Sequence, residues 1–173
     1  MAVQEHIQDL IRNNCADVDQ ILAVPGGCSQ DIWVLEHTKQ FVLETNLLVT
    51  ELQKHCTSAT CPLMGLKNDS FKCTVHEEYQ DCSAIDYITH NLDSATDILL
   101  NMSAGQFLGK IEESERSHLN QILRRLYRIL AHAKVLHPAT FDQFEREMFL
   151  YARFFQFCRA FGFNQKEKLI VPN

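Results

Sequence analysis

From about Trp33 to His55 the chain runs without a glycine or a proline, and Phe41, Leu43, Leu47, Leu48 and Leu52 crowd that stretch. Apolar residues this dense predict a long helix that is largely buried. Other stretches repeat the helical period. The first covers about Ala2 to Asn13, with Val3, Ile7, Leu10 and Ile11 on one side. A short turn follows from Asp17 to Leu22 and is ended by Pro25-Gly26-Gly27. A third helix is predicted from about Ala84 to Met102, with Ile85, Ile88, Leu92, Ala95, Ile98 and Leu99 as its stripe. After a loop with Gly105 and Gly109, a fourth begins near Ser114 and ends at His137, because Pro138 disfavours helical geometry in the residue before it. A fifth spans about Thr140 to Phe161, carrying Phe141, Phe144, Met148, Phe149, Ala152, Phe155 and Cys158, with Gly162 placed as its C-terminal cap. The fold class expected is all-α, a bundle of long helices in one domain over residues 1–173.

One segment breaks the pattern. Between Cys56 and Cys82 the helical period is lost, and Pro62, Gly65 and Lys67-Asn68-Asp69-Ser70 are turn chemistry. Phe71 to Val75 alternates briefly and reads as one strand of a short β-hairpin. This irregular insertion also opens on the strongest local motif. Cys56 and Cys61 stand in C-x4-C spacing, and His132 and His137 in H-x4-H spacing at the end of the fourth helix. Both spacings suit a tetrahedral zinc site. A strict α-helix would put His137 roughly 140° around from His132, but Pro138 frees His137 to swing back. Four protein ligands would close the coordination shell, so such a zinc is structural rather than catalytic.

Spacing alone leaves other arrangements open. The cysteines could be ordinary thiols and the histidines packed side chains. Cys56, Cys61, Cys73 and His76 could instead form a knuckle inside the insertion, giving a zinc-finger module with nucleic acid as its ligand. The charge argues against that ligand: 16 Lys and Arg against 22 Asp and Glu give a net charge of −6, whereas nucleic-acid binding rests on phosphate neutralisation. The seven cysteines, in a chain that opens without a basic and apolar leader, are expected as thiols or metal ligands in a reducing compartment, the cytoplasm or nucleus. No apolar run reaches the roughly 18 residues a membrane helix needs.

The enzyme readings are weak. Cys28 with His37, or Cys158 with any histidine, could be cast as nucleophile and base, but only on residue type. Neither a phosphate-cradling glycine loop nor an H-E-x-x-H pattern occurs, and a metallohydrolase would need an open metal position. Arg124, Arg125 and Arg128 sit within about one turn just upstream of His132. Their guanidinium forks could grip a phosphate, or simply form a solvated face paired with Glu112, Glu113 and Glu115.

The string IWVLEHTKQFVLETNLLVTELQKHCTSATCPLM, from Ile32 to Met64, resembles the heart of the Mob family, and RRLYRILAHAKVLH resembles that family's second zinc half. Through CSAIDYITHNLD, FDQFEREMFL and the closing LIVP the likeness is to the family's phocein branch, and it covers essentially the whole chain. The resemblance implies a Mob fold with a four-helix-bundle core, and Cys56, Cys61, His132 and His137 as ligands of a structural Zn2+. It implies a non-catalytic adaptor in the cytoplasm, binding Ste-type or germinal-centre kinases and a striatin-type scaffold and phosphatase complex. It further implies a phosphothreonine-peptide pocket at Arg124, Arg125 and Arg128. Mob coactivators of NDR-type kinases carry a glutamate just before the tryptophan. Here that position is Ile32, so NDR-type kinases are not expected partners. Any longer terminal arm of the relatives is expected to be missing.

Overall fold

The computed structural model describes residues 2–104 and 110–164, with the side chains of 103 and 104 left aside. The Gly105 and Gly109 loop and the LIVP segment lie outside the described residues. Seven helices run through the described chain: α1 Val3–Asn14, α2 Val18–Leu22, α3 Gln30–Leu52, α4 Ala84–Ala104, α5 Glu113–Leu136, α6 Pro138–Met148 and α7 Leu150–Phe161. The all-α class and the long-helix bundle expected from periodicity are what the chain adopts.

Helix starts follow local capping chemistry. Asp17 accepts a hydrogen bond from the Gln20 amide at the head of α2. Ser29 accepts from the Asp31 amide, which starts α3 three residues before the tryptophan. Glu112 and Glu115 form a reciprocal capping box at α5, satisfying amides that the first turn leaves without partners. Gly27 takes a left-handed φ of 81° in the turn between α2 and α3, as does Gly162 (φ 74°) at the end of α7.

α3 is the common member of the bundle: α1, α4, α5, α6 and α7 all pack on it. Trp33, fully buried near its start, donates its indole N–H to the Leu22 carbonyl at 3.1 Å and so ties α2 to the bundle. Trp33 is thus a core residue. Phe41, Leu48 and Leu52 are buried as expected, but Leu43 and Leu47 are 48% and 55% exposed. The density of apolar residues on α3 hid an outward-facing pair four residues apart.

The fifth helix of the sequence reading is in fact two. Phe149 takes the left-handed conformation (φ 49°, ψ 32°) between α6 and α7. No glycine or proline marks the break. It is held by Glu145, whose carboxylate accepts from the amides of Tyr151 (2.8 Å) and Ala152 (3.0 Å) at the start of α7. The break resets the helical phase, so Leu150, Tyr151, Phe154 and Phe157 point inward, while Ala152 is exposed and Phe155 only partly covered. The expected hairpin shrinks to two isolated antiparallel bridges, Gly65 with Ser70 and Cys73 with Gln80.

Candidate metal centres and the arginine face

Cys56 stands one turn beyond the end of α3, its amide bonded to the Leu52 carbonyl at 2.7 Å. The loop to Cys61 turns without glycine because threonines close it. The Thr57 amide donates to the Thr60 hydroxyl (2.9 Å), and that hydroxyl donates to the His55 carbonyl (2.7 Å). His132 lies on the last full turn of α5, and His137 is the residue between α5 and α6. At φ −130° and ψ 52° His137 has left helical geometry, as the following Pro138 requires.

These elements bring four side chains to one point. Cys56 Sγ lies 3.5 Å from His132 Nε2, and Cys61 Sγ lies 3.4 Å from His137 Nε2. All four donor atoms fall within 4.8 Å of one another. Zinc–sulfur and zinc–nitrogen bonds of about 2.3 and 2.05 Å at a tetrahedral angle place sulfur and nitrogen about 3.5 Å apart, so the donor set fits a tetrahedral ion. A backbone carbonyl completes the arrangement: Gly65 O sits 2.7 Å from His132 Nδ1 and turns Nε2 towards the thiols, the supporting contact metal-bound histidines ordinarily have. Gly65 is required there, because a Cβ would lie 2.1 Å from the Asp69 carbonyl oxygen.

Burial favours the neutral forms of Cys56, His132 and His137. It pushes the Cys56 thiol up to about 12, helped by the neighbouring Cys61. It lowers His132, and lowers His137 with help from the charge of His132. Neutral imidazoles are the metal-binding form, and a cation would reverse the balance for the thiols by favouring thiolate.

The rival knuckle is not assembled. Cys73 and His76 belong to a separate group with Cys82 and His90, whose donor atoms also lie within 4.8 Å of one another. The sequence reading missed Cys82 and His90, although the order Cys73-x2-His76-x5-Cys82-x7-His90 was available.

The arginines of α5 split between two neighbours. Arg125 donates from Nη2 to the Thr74 hydroxyl at 2.9 Å. The Arg128 guanidinium lies over the Phe71 ring at 4.7 Å, and its charge acts on the Tyr87 hydroxyl of α4. Arg124 lines a cavity of about 340 Å³ with Arg116, Ser117, Asn120 and Asn164. All three are half-buried. Arg125 and Arg128 therefore face the insertion and α4, and Glu115 is occupied at the α5 cap.

An all-α bundle carrying two Cys2His2 groups that could each hold a metal ion defines the class of domain. The sequence profile of the Mob1/phocein family matches residues 9–172, and the chain belongs to that family. It is 38% identical over 173 residues to "MOB kinase activator-like 4" of Drosophila melanogaster, covering 99% of this chain and 78% of that protein. To "MOB-like protein phocein" of Caenorhabditis elegans it is 37% identical over 171 residues, covering 98% and 77%. A more distant match, 28% over 153 residues, is "Maintenance of ploidy protein mob1" of Schizosaccharomyces pombe, covering 83% and 72%. Membership supports a regulatory, adaptor-type role. No helix among the described residues is long and apolar enough to cross a membrane.

Proposed function

We propose that this chain is a non-catalytic, single-domain adaptor of the cytoplasm that docks phosphothreonine segments of partner proteins on Arg124, Arg125 and Arg128. The observation carrying this reading is that three half-buried arginines stand within about one turn of α5. Two of them are already oriented by the insertion, through Thr74 and Phe71. Pre-oriented forks lose less entropy on gripping a phosphate than free side chains do.

The names of the relatives, a kinase activator-like protein and a phocein, agree with a role towards kinases. The resemblance of the sequence to the phocein branch favours Ste-type or germinal-centre kinases and a striatin-type scaffold and phosphatase complex over nucleic acid. The net charge of −6 agrees with that choice. A structural zinc ion held by Cys56, Cys61, His132 and His137 would pin the start of the insertion to the end of α5, so that the helix bearing the arginines is fixed at its C-terminal end. The closed set of four protein donors suits this role better than catalysis.

The test is binding of a fluorescent phosphothreonine peptide library and its unphosphorylated counterpart. The wild type is expected to retain only the phosphorylated peptides. Arg125→Ala with Arg128→Ala should weaken that binding by roughly 100-fold or more, since each charged hydrogen bond contributes about 1.5–3 kcal/mol, with circular dichroism and zinc content unchanged. Undiminished binding by a folded double variant would show that the pocket lies elsewhere.

A further inference from the structure

The insertion from Gln53 to Ser83 contains no helix and no strand longer than a single bridge. A structureless segment of that length inside a packed domain needs something besides backbone pairing to hold it. Its far half contains the second donor group. The Cys73 amide donates to the Gln80 carbonyl at 2.8 Å, with the return bond at 3.3 Å. This bridge closes a hairpin whose mouth holds Cys73 and Cys82, both buried. His76 lies within the hairpin and His90 reaches it from α4.

The geometry resembles that of the first group. His76 Nε2 lies 3.2 Å from Cys82 Sγ, and His90 Nδ1 lies 3.8 Å from Cys82 Sγ and 3.9 Å from Cys73 Sγ. These values bracket the sulfur–nitrogen edge of about 3.5 Å for a zinc tetrahedron. The imidazoles cross at 88° with centroids 4.8 Å apart, each turning one nitrogen towards the thiols. Asn91 adds an outer contact, its side-chain amide donating to Cys73 Sγ at 3.7 Å, as groups supporting a thiolate do. Two sulfurs and two imidazoles select zinc over magnesium or calcium, and four protein donors leave no open position.

The cluster borders the arginine face. Thr74, which accepts from Arg125, follows Cys73 directly. Phe71, beneath Arg128, stands two residues before Cys73, and Tyr87, whose hydroxyl feels the Arg128 charge, stands three residues before His90 on α4. We propose that Cys73, His76, Cys82 and His90 hold a second structural zinc ion, which fixes the insertion on α4 so that Arg125 and Arg128 are presented in one orientation. The second half of this proposal rests on the phosphothreonine docking proposed above; the metal site itself does not.

The test compares the purified full chain with His76→Ala/Cys82→Ser, and with His76→Cys, which keeps a ligand. Elemental analysis should find two zinc ions per chain in the wild type, one in the double variant and two in His76→Cys. One zinc in the wild type, unchanged in the double variant, overturns the site. Trypsin cleavage after the exposed Lys67 and Lys72 should be at least about tenfold faster in the double variant, as a loosened segment opens more often. Its affinity for the phosphothreonine library should fall about tenfold or more, the scale on which supporting residues act. A one-zinc variant with wild-type cleavage and affinity refutes the positioning role. A wild type with two zinc ions and no phosphothreonine binding refutes only the docking reading.

Discussion

Arg153 is fully buried on α7, and its Nη2 donates to Glu44 of α3, which is 2% exposed, and to the Met148 carbonyl at 3.1 Å. Glu44 also accepts from Gln40 Nε2 at 2.8 Å. Nε and Nη1 of Arg153 have no hydrogen-bond partner among the described residues. Two opposite charges held this far from water stabilise the fold little as a pair, but each is costly without the other. Glu44→Leu alone strands a guanidinium and Arg153→Met alone strands a carboxylate, so each single change should cost about 3–5 kcal/mol. For a domain of this size that lowers Tm by roughly 6–20 °C. The double variant removes both charges and should lie within about 2 kcal/mol of the wild type. Thermal and urea unfolding of all four proteins, at fixed zinc, gives the coupling energy. A coupling below about 1 kcal/mol, with the double variant as unstable as the two singles summed, would refute this reasoning.

Two further outcomes follow from the same core. His37, enclosed by Trp33, Phe41 and Phe157, has its pKa lowered to about 3, chiefly by burial and then by the charge of Arg153. The unfolded chain binds this proton near 6.5 and the folded chain does not, so the associated stability is present above pH 6.5 and is lost as pH falls towards 3, at about 1.4 kcal/mol per unit. His37→Phe should flatten the stability–pH slope in that window by about one proton relative to wild type; an unchanged slope would show that His37 does not carry the effect. On α3, Leu47→Glu should change stability by no more than about 0.5 kcal/mol, whereas Leu48→Ala should cost about 2–5 kcal/mol. Equal costs in denaturant titration would contradict the exposed placement of Leu47.

Periodicity was a reliable guide wherever a helix showed one stripe and a recognisable stop. α1, α4 and α5 fall within a residue or two of the stretches read from sequence, and His137 leaves the helix because Pro138 follows. It failed where the signal was not a residue type. The stop at Phe149 depends on Glu145 capping α7 through Tyr151 and Ala152, a contact between residues six and seven apart that no composition rule reports. Leu43 and Leu47 misled because a helix rich in leucine gives no contrast between its faces. The pairing of Cys56 with His132, 76 residues away, was read from spacing and resemblance. Cys82 and His90 join Cys73 and His76 only because the Cys73–Gln80 bridge folds the hairpin back and α4 carries His90 up to it, neither of which spacing reports. The arginine face showed its charge in the sequence, but its contacts with Thr74 and Phe71 depend on how the insertion folds back.

The central claim, that zinc staples the insertion to the end of α5, is tested most directly by anomalous diffraction at the zinc edge on crystals of the purified protein. The predicted result is an anomalous peak bonded to Cys56 Sγ, Cys61 Sγ, His132 Nε2 and His137 Nε2. A peak ligated by Cys56, Cys61, Cys73 and His76, or no peak between the four predicted donors, would contradict it.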